Sequence, residues 1–122
     1  MIFKVFCNLL FAGALLSGPA LAQGNDEALL GAYDAYRAGD PVKFARFAKK
    51  LEGHLLDPWV AYWRVAMRLE DMPNAEVLAF LEEHANTYPA ELLRADWLKV
   101  LGRRADWQSF DRELPPLVQD DL

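Results

Sequence analysis

Helical spacing of apolar residues, interrupted by glycine, aspartate and proline, most restricts how this chain can fold. In one segment the apolar side chains recur at intervals of three and four residues, at Phe44, Phe47, Ala48 and Leu51. Asp40-Pro41 precedes them, and this pair favours a helix start because aspartate caps free amides and proline is tolerated in the first turn. No segment alternates apolar and polar residues over strand length. The pattern predicts an all-α fold of six helices.

Glycine and proline also place the boundaries and core faces of the other helices. The first helix is expected from about Asp26 to Ala38, where Gly39 ends it. Asp57-Pro58 and Pro73-Asn74 are expected to begin the third and fourth helices by the same logic. The expected core residues are Val77, Leu78, Leu81, Ala85 and Tyr88 in the fourth helix, and Trp107, Phe110 and Leu114 in the sixth.

The helix starts recur at a fixed distance. Residues 38–44 (AGDPVKF) align with residues 104–110 (RADWQSF) at an offset of 66 residues, and Asn74 lies about halfway between the two starts. An offset of two units of about 33 residues matches a helix–turn–helix solenoid repeat. We therefore expect a right-handed α-superhelix of about three helix pairs, tetratricopeptide-like in form. A compact six-helix bundle is the alternative topology.

Residues 1–22 have the organisation of a secretory signal peptide. Lys4 precedes an apolar stretch from Val5 to Leu16, Ser17-Gly18-Pro19 is expected to break its helix, and Ala20-Leu21-Ala22 gives a cleavage site. The apolar stretch is shorter than the roughly 20 residues that span a bilayer, which argues against the alternative of a transmembrane anchor. We expect cleavage after Ala22, export to the periplasm and no stable membrane anchor afterwards.

The exported chain is expected to consist of one domain over residues 23–116 and a frayed acidic tail over residues 117–122. The only cysteine, Cys7, leaves with the signal peptide, and a chain without thiols suits an oxidising compartment. The whole chain carries 18 acidic and 13 basic side chains, for a net charge of −5. This balance argues against a duplex nucleic-acid partner, which requires a basic face.

Few residues have the arrangement that catalysis or metal binding requires. The two histidines, His54 and His84, form no metal-binding motif, and Ser109 has no histidine near it in sequence. The carboxylates of Glu70-Asp71 and of Glu82-Glu83 are adjacent, so on a helix they point about 100° apart and suit a solvated surface. We predict no catalytic residue, no metal and no cofactor.

Aromatic side chains recur at helical spacing, and most are expected to wedge the helices together. The functional alternative is that one or two line a concave face, where sugar rings stack on aromatic faces. Basic residues on that face would hold carboxylates, although a solvated surface is the simpler interpretation for most of them. The candidate contact residues for a glycan or a partner are Tyr36, Trp59, Trp63, Arg64 and Arg103.

Several of these segments, taken in order, resemble one known family, the soluble lytic murein transglycosylases. Residues 93–110 (LRADWLKVLGRRADWQSF) are similar to that family's segment LR..WL..LG.R.DW..F. The resemblance extends over most of residues 29–114. The other similar segments are residues 57–63 (DPWVAYW), which resemble a proline-aromatic helix start, and Phe80-Leu81 with Tyr88-Pro89, which resemble the step before LR..WL.

In that family the corresponding region is the amino-terminal part of a long α-superhelix in the periplasm. A separate lysozyme-like domain cleaves the glycan with a glutamate in a Glu-Ser context, followed by Gly-Leu-Met-Gln. Neither motif occurs here, so that glutamate maps onto no residue of this chain. The resemblance implies a non-catalytic superhelical segment, truncated before the catalytic domain, that binds peptidoglycan glycan strands. The alternative is a stand-alone periplasmic helical-repeat adaptor that binds a protein partner.

Overall fold

The computed structural model describes the backbone of residues 18–116 and the side chains of residues 24–116. This part of the chain is all-helical and contains no strand, so the predicted all-α class with six α-helices is confirmed. It also contains no helix long and apolar enough to cross a membrane. The helices are α1 (Gly18–Ala38), α2 (Pro41–Ala48), α3 (Asp57–Ala66), α4 (Asn74–Glu83), α5 (Tyr88–Arg103) and α6 (Trp107–Glu113), and a 3-10 turn (Lys49–Leu51) follows α2.

Helix α1 begins earlier than the sequence indicated. It starts at Gly18 and not near Asp26, so it runs without a break through the expected cleavage site after Ala22. Pro19 lies in the first turn of α1, where its missing N–H leaves no bond unmade. The expected break at Ser17-Gly18-Pro19 ends the helix of the preceding apolar stretch, which lies outside the described residues, so it stays a prediction. The rest of the expected signal peptide, residues 1–17, and the expected acidic tail, residues 117–122, lie outside the described residues.

Two chain reversals, at the ends of α1 and α5, have the same backbone conformation. Gly39 and Ala105 have positive φ angles of 67° and 57°. The Gly39 N–H donates to the Tyr36 carbonyl at 3.1 Å, and the next N–H, that of Asp40, donates to the Ala35 carbonyl at 3.0 Å. The N–H groups of residues 105 and 106 make the same two bonds, with the same lengths, to the carbonyls of residues 102 and 101. These paired bonds define the Schellman ending of a helix. The two segments that align in the sequence therefore also share their hydrogen bonds.

The aspartate after each turn caps the next helix. The Asp40 carboxylate accepts a hydrogen bond from the Lys43 amide at 2.9 Å, and the Asp106 carboxylate accepts one from the Ser109 amide at 3.2 Å. Such caps satisfy one of the free amides of the first turn. Hydrogen bonds from Ser109, with a further bond from the Asn74 side chain at 3.0 Å, hold the pKa of the Asp106 carboxyl below its usual value.

The core is centred on α5, which packs against α3, α4 and α6, while α1 packs against α2 and α3. Each fully buried leucine or valine stabilises the fold by roughly 1.5–3 kcal/mol relative to an exposed one. The largest fully buried side chains are Leu93, Trp97, Leu98, Val100 and Leu101 of α5, together with Leu51, Val60 and Val77.

Helix α4 buries a different set of residues from the one that the sequence indicated. It ends at Glu83, so Ala85 lies beyond it, and Tyr88 is the first residue of α5. Leu78 is exposed, and Phe80 is buried in its place beside the expected residues Val77 and Leu81. The helix is shorter than the apolar spacing suggested because the chain turns at Asn86, which has a positive φ of 64°.

Helix α6 is also rotated relative to the expectation. Trp107 is 57% exposed and Leu114 is 38% exposed, whereas Ser109 and Glu113 are buried. The Arg94 guanidinium of α5 donates to Glu113 at 2.6 Å, and the Asp106 cap fixes the other end of α6. These polar contacts turn a polar face of α6 towards α5 and leave its tryptophan at the surface.

The shared turn geometry leads to a test of backbone strain. An L-residue such as Ala105 is strained at positive φ by about 1–2 kcal/mol, whereas glycine is not. We expect Ala105→Gly to stabilise the chain by about 1 kcal/mol and Gly39→Ala to destabilise it by a similar amount. Urea unfolding measures both changes. Gly102→Ala is the control: it lies in a helix with open space around the new Cβ and should stabilise the chain. A loss of stability in Ala105→Gly would contradict a strained backbone at residue 105.

A close approach between α1 and α2 gives a second test. A Cβ on Gly31 would lie 2.6 Å from the ring of Phe47. We expect Gly31→Ala to destabilise the chain, because overpacking costs about 1–3 kcal/mol and exceeds the gain of about 1 kcal/mol in helix propensity. In a Phe47→Leu background, where the ring is gone, the same substitution should be neutral or stabilising. Equal changes in the free energy of unfolding in both backgrounds would show that the Phe47 ring does not limit how closely α1 approaches α2.

Candidate functional site

A groove of about 300 Å³ crosses α1, α3 and α5, and we call it the α1/α3/α5 groove. Helix α5 supplies four of the eight residues that line it, because residues three or four positions apart share one face of a helix. Helix α1 contributes Tyr36. The remaining residues of the groove are Ala66, Leu69 and Glu70 at the end of α3 and just beyond it, and Asp96, Lys99, Val100 and Arg103 on α5.

Charges of both signs alternate along the groove. The Arg103 guanidinium donates to the Glu70 carboxylate, and the Lys99 ammonium lies 3.9 Å from the Asp96 carboxylate. All four side chains are substantially exposed, and such surface ion pairs contribute only about 0–1 kcal/mol each. The pairs hold the charges in place, and a ligand can exchange for either partner at small cost.

A buried tyrosine fixes one of these charges. The Tyr62 hydroxyl donates to Asp96 Oδ2 at 2.8 Å, and its ring is only 7% exposed. Burial, then the hydrogen bond and negative charge of Asp96, and then neighbouring Tyr36 raise the pKa of the Tyr62 hydroxyl well above its usual value. Tyr62 is therefore a neutral hydrogen-bond donor that orients the Asp96 carboxylate towards the groove.

Aromatic rings form a continuous layer beside the groove. The Tyr36 ring stacks on Trp63 with centroids 6.0 Å apart and an interplanar angle of 19°, and the Tyr33 ring lies 5.4 Å from Trp63 and 6.3 Å from Tyr36. Trp59 meets Tyr62 edge to face at 6.1 Å. Aromatic pairs of this kind add about 0.5–1.5 kcal/mol to area burial. The layer makes Tyr36 a rigid part of the groove wall.

The structure brings together three of the five residues that the sequence singled out. Tyr36 and Arg103 line the groove, and Trp63 lies directly behind Tyr36 with 9% exposure. Trp59 is half-buried in the aromatic layer and does not line the groove. Arg64 lies in a different cleft, between α3 and α4. Trp59 and Trp63 thus pack between helices, as expected of most of the aromatic residues.

Sequence reasoning missed the polar residues that share the groove with Tyr36 and Arg103. Asp96, Lys99 and Arg103 recur at intervals of three and four residues on α5, and this spacing was a signal that they share a face. Glu70 and Tyr62 carried no such signal, because their partners lie 33 and 34 residues away along the chain.

The second cleft, of about 430 Å³, separates α3 from α4. His84 lies in it with its ring 4.5 Å from that of Phe80, and the other histidine, His54, accepts a hydrogen bond from the Leu56 amide at 3.2 Å. Both histidines are half-buried. Across residues 24–116, no group of three histidine, cysteine or carboxylate side chains is arranged to hold a metal ion.

Comparison with known proteins assigns no role to either cleft. No protein-family model matches the chain, and no curated protein or solved structure matches it.

The Tyr62–Asp96 contact leads to a prediction at alkaline pH. The raised pKa of Tyr62 favours the protonated hydroxyl in the folded chain, so its stabilising contribution is complete below about pH 10 and is lost as the pH rises above that value. Tyr62→Phe should flatten this alkaline loss, and it should cost about 0.5–1.5 kcal/mol at neutral pH. Urea midpoints measured from about pH 8 to about pH 11 test both statements.

Asp96→Asn provides the matched control, because asparagine keeps an acceptor oxygen and removes the charge. The loss of stability of Asp96→Asn between about pH 8 and about pH 11 should be smaller than that of the parent chain and larger than that of Tyr62→Phe. Identical profiles for all three chains would contradict a role of this hydroxyl in the pH dependence.

Proposed function

We propose that this chain is a periplasmic binding module for peptidoglycan glycan strands, and that the α1/α3/α5 groove holds the strand. The observation that carries the proposal is the placement of a rigid tyrosine ring, Tyr36, beside the Lys99 and Arg103 cations in one groove. Aromatic walls with a few oriented polar groups are the usual composition of a binding site. The hydroxyl, acetamido and carboxyl groups of a glycan strand complement this set of side chains.

The resemblance to soluble lytic murein transglycosylases supports the same ligand. The matching residues include Trp97 and Leu101 on α5, the helix that carries three of the charged groove residues, and Trp107, which follows the turn at Ala105. In our proposal the chain binds the strand and does not cleave it, because the family's catalytic glutamate maps onto no residue of this sequence. The role of the module is to hold or position glycan during peptidoglycan turnover.

We also propose that the six helices form a right-handed superhelix of three helix pairs. Hydrogen bonds between neighbouring pairs support this arrangement, because they join residues 32–35 positions apart, close to one repeat unit. The odd-numbered helices contact one another in the order α1, α3, α5, and α4 packs on α5. In such a superhelix the odd-numbered helices line the inner surface, where the groove lies. The hydrogen bonds are Tyr62–Asp96, Asn74–Asp106, Arg103–Glu70 and Arg104 to the Leu69 carbonyl.

A second candidate function is a stand-alone periplasmic adaptor that binds a protein partner. The exposure of Trp107 on α6 and of Leu114 directly after it favours this function, because large exposed apolar side chains are enriched at protein interfaces. A pull-down from envelope extract separates the two functions. Retention on purified sacculi supports the glycan module, and a stoichiometric envelope protein that is lost on Trp107→Ser supports the adaptor.

Binding to purified sacculi tests the glycan proposal. We expect the parent chain to be retained and Arg103→Gln to bind about tenfold more weakly, because it removes a charged hydrogen-bond donor from the groove. Lys99→Gln should have a similar effect. Arg68→Gln is the matched control, since Arg68 is an exposed arginine outside the groove, and it should bind like the parent chain.

Two results would count against the proposal. Binding of Arg103→Gln and Lys99→Gln at the parent level would remove the groove from the interaction. Release of anhydromuropeptides from sacculi above a boiled control would show that the chain cleaves glycan, contrary to a pure binding role.

A further inference from the structure

Positive charge is concentrated in one short part of this acidic chain. Residues 37–50 contain five of the 13 lysine and arginine side chains and one carboxylate, whereas residues 70–91 contain six carboxylates and no lysine or arginine. Basic and acidic side chains are therefore segregated along the sequence of this chain, whose net charge is −5. The positive part coincides with α2 and the 3-10 turn that follows it.

The fold places these cations on one outward side of α2. Phe44, Ala48 and Leu51 are buried, so the opposite side of this segment faces solvent. The side chains exposed there include Lys43, Arg46, Lys49 and Lys50. Their spacing of three and four residues makes them a single stripe along the segment.

Among the described residues, none of the four cations has an ion-pair partner. The Asp40 carboxylate at the start of the stripe is engaged with the Lys43 backbone amide, and the Lys50 ammonium lies 5.7 Å from the Phe47 ring. Glu52 is exposed just beyond the other end of the stripe. The cations thus keep most of their charge available to an external partner, unlike Arg103 in the groove, which pairs with Glu70.

Two aliphatic side chains project from the same region. Val42 is 74% exposed, and it lies on the outward side because Lys49 follows it by seven residues, which is two helical turns. Leu55 is 90% exposed in the connection between the 3-10 turn and α3. Aliphatic side chains next to unpaired cations are typical of helices that lie in a membrane interface.

We propose that α2, the 3-10 turn and Leu55 form a docking surface for an anionic phospholipid bilayer, and we call it the α2 surface. The four cations lie against the phosphate headgroups, and Val42 and Leu55 enter the boundary between headgroups and acyl chains. A soluble polyanion complements the cations but offers the two aliphatic side chains nothing apolar to contact. A bilayer complements both, and for this reason the proposal commits to a lipid surface.

The attachment is weak, reversible and sensitive to salt. Each lysine or arginine near an anionic leaflet strengthens partitioning by about fivefold, and the effect extends over a Debye length of about 8 Å at physiological ionic strength. Carboxylates farther than this from the bilayer are screened, so the net charge of the chain does not prevent docking. The α2 surface is separate from the α1/α3/α5 groove, and docking on it leaves the groove residues uncovered.

Co-sedimentation of the purified chain with vesicles tests the proposal. The probes are vesicles of phosphatidylcholine alone and of phosphatidylcholine mixed with anionic phosphatidylglycerol. We expect stronger binding to the anionic vesicles, and the excess should disappear at high salt. Lys49→Gln should reduce the excess about fivefold, and a further Lys50→Gln should reduce it about fivefold again. Leu55→Ser should weaken binding at every salt concentration. These side chains are exposed, so the helical circular dichroism should not change.

Two controls isolate the α2 surface from other features of the chain. Arg68→Gln removes one exposed cation elsewhere and should bind anionic vesicles like the parent chain. Arg103→Gln impairs the proposed glycan groove and should also bind vesicles normally, so the two proposals fail or succeed independently. Equal binding to both kinds of vesicle, or unchanged binding of the Lys49 and Lys50 variants, would overturn the proposal. Binding to soluble heparin as strong as that to vesicles, with no effect of Leu55→Ser, would also overturn it.

Discussion

The burial of Trp97 is the interaction on which the rest of the fold depends. Its side chain is fully buried in α5, the helix that packs against α3, α4 and α6. An indole of this kind buries roughly 150–250 Å², which stabilises the fold by about 4–6 kcal/mol at about 25 cal/mol per Å². Its Nε1–H has no hydrogen-bond partner among the described residues, at a cost of about 1–3 kcal/mol. The packing gain exceeds that cost, so apolar contact and not hydrogen bonding places α5.

The position of the groove follows from that packing. Once Trp97 and Leu101 face the core, the helical period places Asp96, Lys99 and Arg103 away from it on a common side of α5. Three of the four groove charges are thus carried by a rigid helix, whereas Glu70 lies in the turn that follows α3. A site carried on a well-packed helix keeps its geometry without a bound ligand, which reduces the ordering cost of binding.

Local signals in the sequence predicted much of the fold, and long-range contacts account for what they missed. Asp40-Pro41 predicted a helix start correctly, because a cap and a first-turn proline act within three residues. The positive φ at Ala105 carried no such signal, since alanine is not a residue that favours this conformation. The rotation of α6 depends on the contact of Glu113 with Arg94, which lies 19 residues away in the chain, and apolar spacing cannot report it.

The sequence also could not show which basic residues of the candidate site are paired, because their partners lie far away along the chain. In sequence the α2 cations and Arg103 are alike, since each is a basic residue on a helix face. Arg103 has a carboxylate partner 33 residues away at Glu70, whereas Lys49 has none among the described residues. A ligand of the groove must therefore replace an existing bond with one of matching geometry, which favours selectivity. The unpaired stripe on α2 responds to any nearby negative potential, so it favours an extended anionic surface over a ligand of defined shape.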